Sequence, residues 1–256
     1  MGVSLFDLRG KVALVTGGNG GIGLGMARGL GEAGAAILVV GRNSEKNDAA
    51  VSALADSGVD AAASATDVTD EGAVANMVET AMARWGRLDI LVNNAGINIR
   101  KEPQDLTLAE WRAVLETNLT SAFVCSQAVY APMVAGGGGK IINIGSMMSI
   151  FGAAFTPAYA SSKGGIVQLT KATATAWAKD NIQVNAVLPG WIDTDLTRRG
   201  RREVEGLHEK VLARTPTGRW GEPEDMAGIA VFLAAPASDF VTGTAIPVDG
   251  GFSVQG

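Results

Sequence analysis

Tyr159 and Lys163, at the two ends of Tyr159-Ala-Ser-Ser-Lys163, and Ser146 thirteen residues upstream have the types and spacing to move a proton. Thr156 and Pro157 read as a helix N-cap and first helical residue, which places Tyr159 in the opening turn and Lys163 beside it on one face. Tyrosine titrates near ~10, so acting as an acid or base near neutrality requires about three units, roughly 4 kcal/mol, of preferential phenolate stabilisation. An ammonium about 5 Å away supplies roughly 3 kcal/mol at an effective dielectric near ~20, and a second positive charge would complete the shift. The competing reading is an amphipathic helix residue next to a solvated lysine. With two tyrosines and eight lysines in 256 residues, such a pair arises by accident about 0.06 times.

The elements that must hold this pair follow from short β-branched apolar runs alternating with amphipathic stretches. The runs are Val12 to Val15, Ile37 to Val40, Ala61 to Ala65, Ile90 to Val92, Ile141 to Ile144, Val184 to Leu188 and Ala245 to Val248. The spacing predicts seven strands joined by helical crossovers, hence an α/β fold. Its parallel, doubly wound sheet is covered by helices on both faces, and ligands gather at the strands' carboxyl ends. At the first of those ends, Thr16-Gly-Gly-Asn-Gly-Gly-Ile-Gly23 stops a strand and starts a helix, suiting a pyrophosphate at a helix N-terminus. Glycine is 34 of 256 residues, so the residue types alone match roughly 0.5 times by chance, and the position in the chain gives the motif its weight. Asn93-Asn-Ala-Gly96 ends the fourth strand with small polar residues where an adenine or ribose could pass, or forms a plain loop turn. Asp67, after the third strand, either accepts from an adenine amino group or caps the helix that starts near Asp70.

Length and 47% hydrophobic content fit one α/β domain, residues 1–256, with no Pro/Ser-rich linker or charge block dividing it. A net charge of −5 and pI near 5.0 argue against nucleic acid and leave a small molecule as the partner. One cysteine, Cys125, permits no intrachain disulfide and reads as a buried apolar residue; with His208 it makes no zinc cluster, so no metal is expected. The N-terminus runs into the first strand without a signal peptide or membrane span, and Met1-Gly2 lacks the Ser or Thr at position 6 that acylation expects. Asn118-Leu119-Thr120 is formally a glycosylation sequon, without meaning in a chain that is not exported. A cytoplasmic protein is expected.

Taken together these motifs resemble the short-chain dehydrogenase/reductase family from Lys11 to Gly251. Thr16 to Gly23 is similar to its glycine motif, Asn93 to Gly96 to its Asn-Asn-Ala-Gly motif, and Pro189-Gly190 with Thr194 to its motif after strand six. Asn118, Ser146, Tyr159 and Lys163 match its catalytic tetrad in order and spacing. The resemblance implies hydride transfer between a nicotinamide and a carbonyl or secondary alcohol, with Tyr159 exchanging the proton and the oxidised nicotinamide providing the second charge. It implies that Ser146 bonds the carbonyl oxygen, that Lys163 lowers the Tyr159 pKa and binds the nicotinamide ribose, and that Asn118 holds a water linking Lys163 to solvent. Taken residue by residue, Ser146 could instead end strand five, and Asn118 could be a polar kink in a helix from about Thr107 to Ala135. Gly17, Asn19, Gly21, Ile22 and Gly23 would then meet the cofactor. So would Asp67 and Val68, Asn94, Ala95 and Gly96, Tyr159 and Lys163, and Pro189, Gly190, Ile192 and Thr194.

The end of strand two, Val39-Val40-Gly41-Arg42-Asn43, lacks the acidic residue that accepts from the ribose 2′-hydroxyl in NAD enzymes. Gly41 stands at that position, so Arg42 and Asn43 could receive a 2′-phosphate, which favours NADP(H) while leaving NAD(H) possible. Arg42 could equally be a solvated strand-end residue. Met148 and Trp191, with Ser146 and Tyr159, are candidates to touch substrate, since Met147, Met148, Ile150, Phe151 and Trp191 form an apolar wall or core packing. Residues 191–219 correspond to the family's variable lid, whose Arg198-Arg-Gly-Arg-Arg202 run is a solvated helix face or, with Arg100 or Lys101, a carboxylate anchor.

Ile97-Asn-Ile-Arg-Lys101, Ser146-Met-Met-Ser149 and Arg219-Trp-Gly221 look like the sugar-acid branch of the family, which includes gluconate 5-dehydrogenase and 2-deoxygluconate 3-dehydrogenase. A keto sugar acid is thus the expected ketone or alcohol substrate. The alternatives are a broad carbonyl or 3-oxoacyl reductase and, outside catalysis, a nucleotide-sensing protein, against which the intact tetrad speaks. An epimerase or dehydratase would need a larger substrate region. Gly164 and Gly165 inside a helix suggest close packing, and the resemblance implies a homotetramer.

Overall fold

In the computed structural model, which describes residues 5–256, all seven apolar runs form strands, several of them longer than the runs themselves. They are β1 (Val12–Thr16), β2 (Ala36–Gly41), β3 (Ala61–Ala65), β4 (Ile90–Asn93), β5 (Gly139–Ile144), β6 (Ile182–Pro189) and β7 (Ala245–Val248). Met1-Gly2 lies outside the described residues. The strands join in one sheet of order β3-β2-β1-β4-β5-β6-β7, with every neighbouring pair parallel. Pro247 is tolerated because β7 is an edge strand.

Alternation along the strands divides the core between two faces. Ala13, Val15, Ile37, Val39, Ile142 and Ile144 face one layer, built from α1 (Gly21–Glu32), α2 (Ser44–Ala55) and α9 (Ala227–Ala234). Leu14, Leu38, Val40, Leu91, Ile141 and Val184 face the other, built from α3 (Glu71–Trp85), α5 (Ser121–Ala135) and α6 (Pro157–Trp177). Strand order reverses at β1, between β2 and β4, so a crevice opens beyond their carboxyl ends. Cys125 lies in the second layer, where burial pushes its thiol up to about 12. No helix among the described residues is long and apolar enough to cross a membrane.

Three local expectations are corrected. The helix expected from about Thr107 to Ala135 is α4 (Leu108–Leu115) and α5, joined by one π-helical turn at Glu116–Thr120 that contains Asn118. Asp67 does not cap α3. Asp70 does, accepting from Ala73 N at 2.9 Å, while Asp67 Oδ1 accepts from Thr69 N at 3.0 Å and Thr69 Oγ1 at 2.8 Å. Thr156 occupies the N-cap position of α6, with Pro157 first in the helix as expected, but its side chain makes no capping bond.

Gly165 packs against Leu119 of the π turn, where a Cβ would meet Leu119 Cδ2 at 2.7 Å, so a neighbour within the chain accounts for it. Gly164 faces open space.

Candidate active site

At the β1–α1 corner, Gly17 has φ +62° and Gly21 φ +50°, conformations that side chains resist. A Cβ on Gly23 would run into the Gly17 carbonyl and Asn94 Nδ2, and one on Gly21 would meet Thr194 Cγ2 at 3.1 Å across the cleft. Asn94 Nδ2 donates to Thr16 O at 3.0 Å and Gly17 O at 3.1 Å, while Thr16 Oγ1 accepts from Asn94 N and Ala95 N. Asn94 thus braces the glycine turn. Gly20, the N-cap of α1, makes no side-chain bond, and a Cβ there would meet nothing within 4 Å. The first-turn N–H groups of a buried helix facing open space fit a pyrophosphate. A cavity of about 290 Å³ continues from this corner along Asn19, Arg42, Asn43, Asp67, Val68 and Ala95 to Gly96. Its size and lining suit an adenosine. Arg42 and Asp67 approach to 3.8 Å at its rim.

A second cavity, of about 240 Å³, meets the first at Gly96 and carries the candidate proton-transfer groups. Ile22, Asn94, Ser146, Met148, Tyr159, Lys163, Pro189, Gly190, Trp191, Ile192 and Thr194 all border it, as do Asn98 and Arg100. Thr194 caps α7 (Asp195–Glu203), and α8 (Leu207–Arg214) follows, so Leu196, Val204 and Leu207 form the far wall. Ser146 Oγ accepts from Met148 N at 3.1 Å, which leaves its proton for another acceptor. Asn118 does not border the cavity. Its Oδ1 accepts from Ile97 N at 2.8 Å, and its Nδ2 donates to Ile97 O at 2.9 Å and Ser162 Oγ at 3.1 Å. The side chain therefore clamps the chain after β4 to α6.

Burial pushes the Tyr159 phenol above its ordinary value, while a hydrogen bond with Ser146 and the charge of Arg100 pull it down. Lys163 was expected to supply most of this stabilisation. Its Nζ sits 5.7 Å from the Tyr159 ring centroid and donates to Ile144 O at 2.6 Å. Burial, with only 4% of the residue exposed, brings its own pKa down to about 8. Arg100, whose side chain is 13% exposed, is a further cation whose charge favours the Tyr159 phenolate. Arg100 Nη1 donates to Glu203 Oε2 at 2.9 Å and Nη2 to Leu196 O at 3.2 Å, which ties it to α7. Lys101, its companion in the carboxylate reading, is turned away to Glu110 Oε1 at 2.6 Å.

Sequence reasoning missed several residues that build the site. Ser162, fully buried, donates to Tyr159 O at 2.7 Å. Ser149 Oγ donates to Lys163 O at 2.7 Å and accepts from Ser146 N at 3.2 Å, joining the serine loop to α6. Ser162 lies inside the Tyr-Ala-Ser-Ser-Lys run, a signal that was present; Trp191 was a substrate candidate and Asn98 lies in the Ile97-Asn-Ile-Arg-Lys101 run, but the state of Asn98 Oδ1 and Trp191 Nε1 was not legible. Both atoms are buried, in residues that border the cavity, and have no hydrogen-bond partner among the described residues.

Comparison with known proteins agrees with this geometry. Residues 17–253 match the family model described as Enoyl-(Acyl carrier protein) reductase. The chain is 44% identical over 252 residues to the 2-dehydro-3-deoxy-D-gluconate 5-dehydrogenase of Formosa agariphila, covering 98% of this chain and 96% of that one. It is 40% identical to the gluconate 5-dehydrogenase of Gluconobacter oxydans, covering 98% of each. The crystal structure of a gluconate 5-dehydrogenase from Burkholderia cenocepacia, in complex with NADP and tartrate, superposes with a TM-score of 0.92 at 41% identity, covering 98% of each chain. The glycine corner, the Asn-Asn-Ala-Gly brace and the Ser-Tyr-Lys constellation thus stand in a chain that belongs to the short-chain dehydrogenase/reductase family, NAD(P)-dependent oxidoreductases acting on CH–OH groups.

Proposed function

We propose that this enzyme interconverts a secondary alcohol and a ketone on a small polyhydroxy acid, with NADP(H) preferred over NAD(H). The observation that carries the substrate class is Arg100, a largely buried guanidinium at the end of the cavity that holds Ser146 and Tyr159. A carboxylate there replaces Glu203 as its partner, a charge-assisted exchange in a site shielded from water. Asn98 Oδ1 and Trp191 Nε1 supply an acceptor and a donor for hydroxyls along the chain between carboxylate and carbonyl. The relatives named above act, by name, on gluconate and 2-dehydro-3-deoxygluconate, which carry a carboxylate and hydroxyls on one chain. Residues 191–219 serve as the substrate lid of a single nucleotide-binding domain.

A nicotinamide held in this site would supply or accept the hydride. Ser146 donates a hydrogen bond to the substrate oxygen, and the Tyr159 hydroxyl exchanges the proton with it. Lys163 holds the ribose and, with Arg100, favours the phenolate. Asn118 fixes α6 against the chain at Ile97, so that Tyr159 and Lys163 keep their register, and its turn carries the proton's exit. Arg42 and Asn43 receive the 2′-phosphate. The enzyme works in the cytoplasm as a homotetramer through α5, α6 and the segment around Val248–Gly251, and a monomeric mass by light scattering overturns that assembly.

Turnover followed at 340 nm on a panel of hydroxy acids and keto acids against neutral ketones and alcohols tests the substrate class. Acids are expected to exceed their neutral counterparts in kcat/KM by at least tenfold, and Arg100→Met to erase the difference chiefly through KM. Equal or better turnover of hydrophobic ketones favours the carbonyl-reductase reading instead, which the Met148, Phe155 and Leu207 lining would serve.

A further inference from the structure

Asn47, in the first turn of α2, is 1% exposed, and both its amide atoms are engaged. Its Nδ2 donates to Gly41 O at 2.8 Å and Ser64 O at 3.3 Å, which ties α2 to the ends of β2 and β3. Because two carbonyls fix that donor, Oδ1 must face the other way, where it accepts from Asn19 Nδ2 of the glycine loop at 2.7 Å. The amide pair lies directly over Gly41. A Cβ built on Gly41 would strike Asn19 Nδ2, meet Asn47 Oδ1 at 2.8 Å and meet Asn19 Cγ at 2.9 Å. Gly41 is the position from which an acidic side chain would reach a ribose 2′-hydroxyl. Two neutral amides fill the carboxylate's place without its charge.

Asn47 also fixes the turn in which Arg42 and Asn43 sit. Gly41 O is held on one side of that turn, and on the other the Asn43 side chain accepts from Lys46 N at 2.8 Å. A 2′-phosphate, carrying about −1.5 to −2 charges at neutral pH as phosphate monoesters do, is sensitive both to a carboxylate and to the placement of Arg42. The adenine, pyrophosphate and nicotinamide are common to both cofactors and fall elsewhere.

We propose that Asn47, acting through Asn19, is the positioning residue that sets cofactor selectivity: the pair excludes an acid from position 41 and holds the Arg42 turn ready for a 2′-phosphate. This rests on the NADP(H) reading above. Asn47 touches no cofactor group itself; its effect passes through Asn19 and the turn.

Calorimetric titration of NADP+ and NAD+ into the full chain tests it without turnover. Asn47→Ala and Asn19→Ala are each expected to weaken NADP+ about tenfold, the scale of one net hydrogen bond, while NAD+ stays within about twofold. Gly41→Asp alone is expected to weaken both cofactors, and Gly41→Asp/Asn19→Gly to recover NAD+ binding and leave NADP+ weak. Parallel loss of both cofactors in the two alanine variants overturns the proposal, because a merely structural role moves both constants together. Tight NAD+ binding by Gly41→Asp alone overturns it as well. Should Asn47→Ala fail to fold, Asn19→Ala removes the same contact from its less buried end. A wild-type chain without preference for NADP+ overturns the cofactor reading, and the two Gly41 variants then decide whether the amide pair fills the acid's place.

Discussion

At the β1–α1 corner, buried glycines lie against backbone: a Cβ on Gly23 would meet the Gly17 carbonyl, and one on Gly25 would run into the Pro223 carbonyl. Across the same cleft, α7 carries four arginines within nine residues and is held by side chains. Arg198 pairs with Asp193 at 3.0 Å, Arg201 with Asp193, and Arg100 with Glu203 at 2.9 Å. Arg201 also lies 4.4 Å over the Trp220 ring, Trp220 donates to His208 Nδ1 at 3.0 Å, and Arg214 lies 4.3 Å over Phe252. The corner has no slack because its contacts are short and involve main chain, whereas flexible charged side chains can exchange partners at small cost. A cofactor common to a whole family suits the first construction, and a substrate that must enter and leave suits the second.

The largest effect is expected between the two regions. Tyr159→Phe should lower kcat at least ~100-fold, the scale of a lost general acid, while the dissociation constant for NADP+ stays within about twofold because the corner is untouched. More than a few per cent of wild-type kcat removes Tyr159 from the proton's path.

A matched pair of glycine substitutions tests the contrast itself. Gly25→Ala should destabilise by about 1–3 kcal/mol through overpacking, read as a fall in Tm of several degrees. A Cβ on Gly200 would meet the Arg100 guanidinium, Nη2 at 2.8 Å and Cζ at 3.2 Å, the far end of a side chain rather than backbone. Gly200→Ala should leave Tm nearly unchanged and raise KM for the acid several-fold. Equal losses of Tm in the two variants break the comparison.

The smallest effect concerns Lys163. Its folded-state pKa, about 8, lies below its unfolded value. Below pH 8 both states hold the proton, and burying the charge opposes folding in full. From about pH 8 to ~10.4 the unfolded chain holds a proton that the folded chain has released, so this group adds stability as pH rises, by at most roughly 3 kcal/mol. Urea midpoints of wild type measured against Lys163→Met should move in favour of wild type across that window. A constant difference shows Lys163 to be charged throughout.

Much of the site was legible in the sequence because the determinants are local. Glycines between a strand and a helix announce the corner, and Tyr159 and Lys163 share a helical face by spacing alone. Asn118 was legible as a polar break, but its clamp on Ile97 and Ser162 was not, since that depends on how α4 and α5 cross α6. Asn47 looked like any polar residue of a helix; only the meeting of β2, β3 and the glycine loop gives its amide three partners.

The sequence by itself determined the strand ladder, the glycine corner and the placing of Tyr159 and Lys163 on one helical face, all of which follow from periodicity and residue type over a few positions. Tertiary structure decided the electrostatics. Arg100, held to α7 through Glu203 and Leu196, comes to border the cavity of Tyr159, and Lys163 loses affinity for its proton because α6 buries it against β5. Desolvation and charge act through space with the depth of burial, and neither depth nor proximity across a sheet is written in the order of residues along the chain.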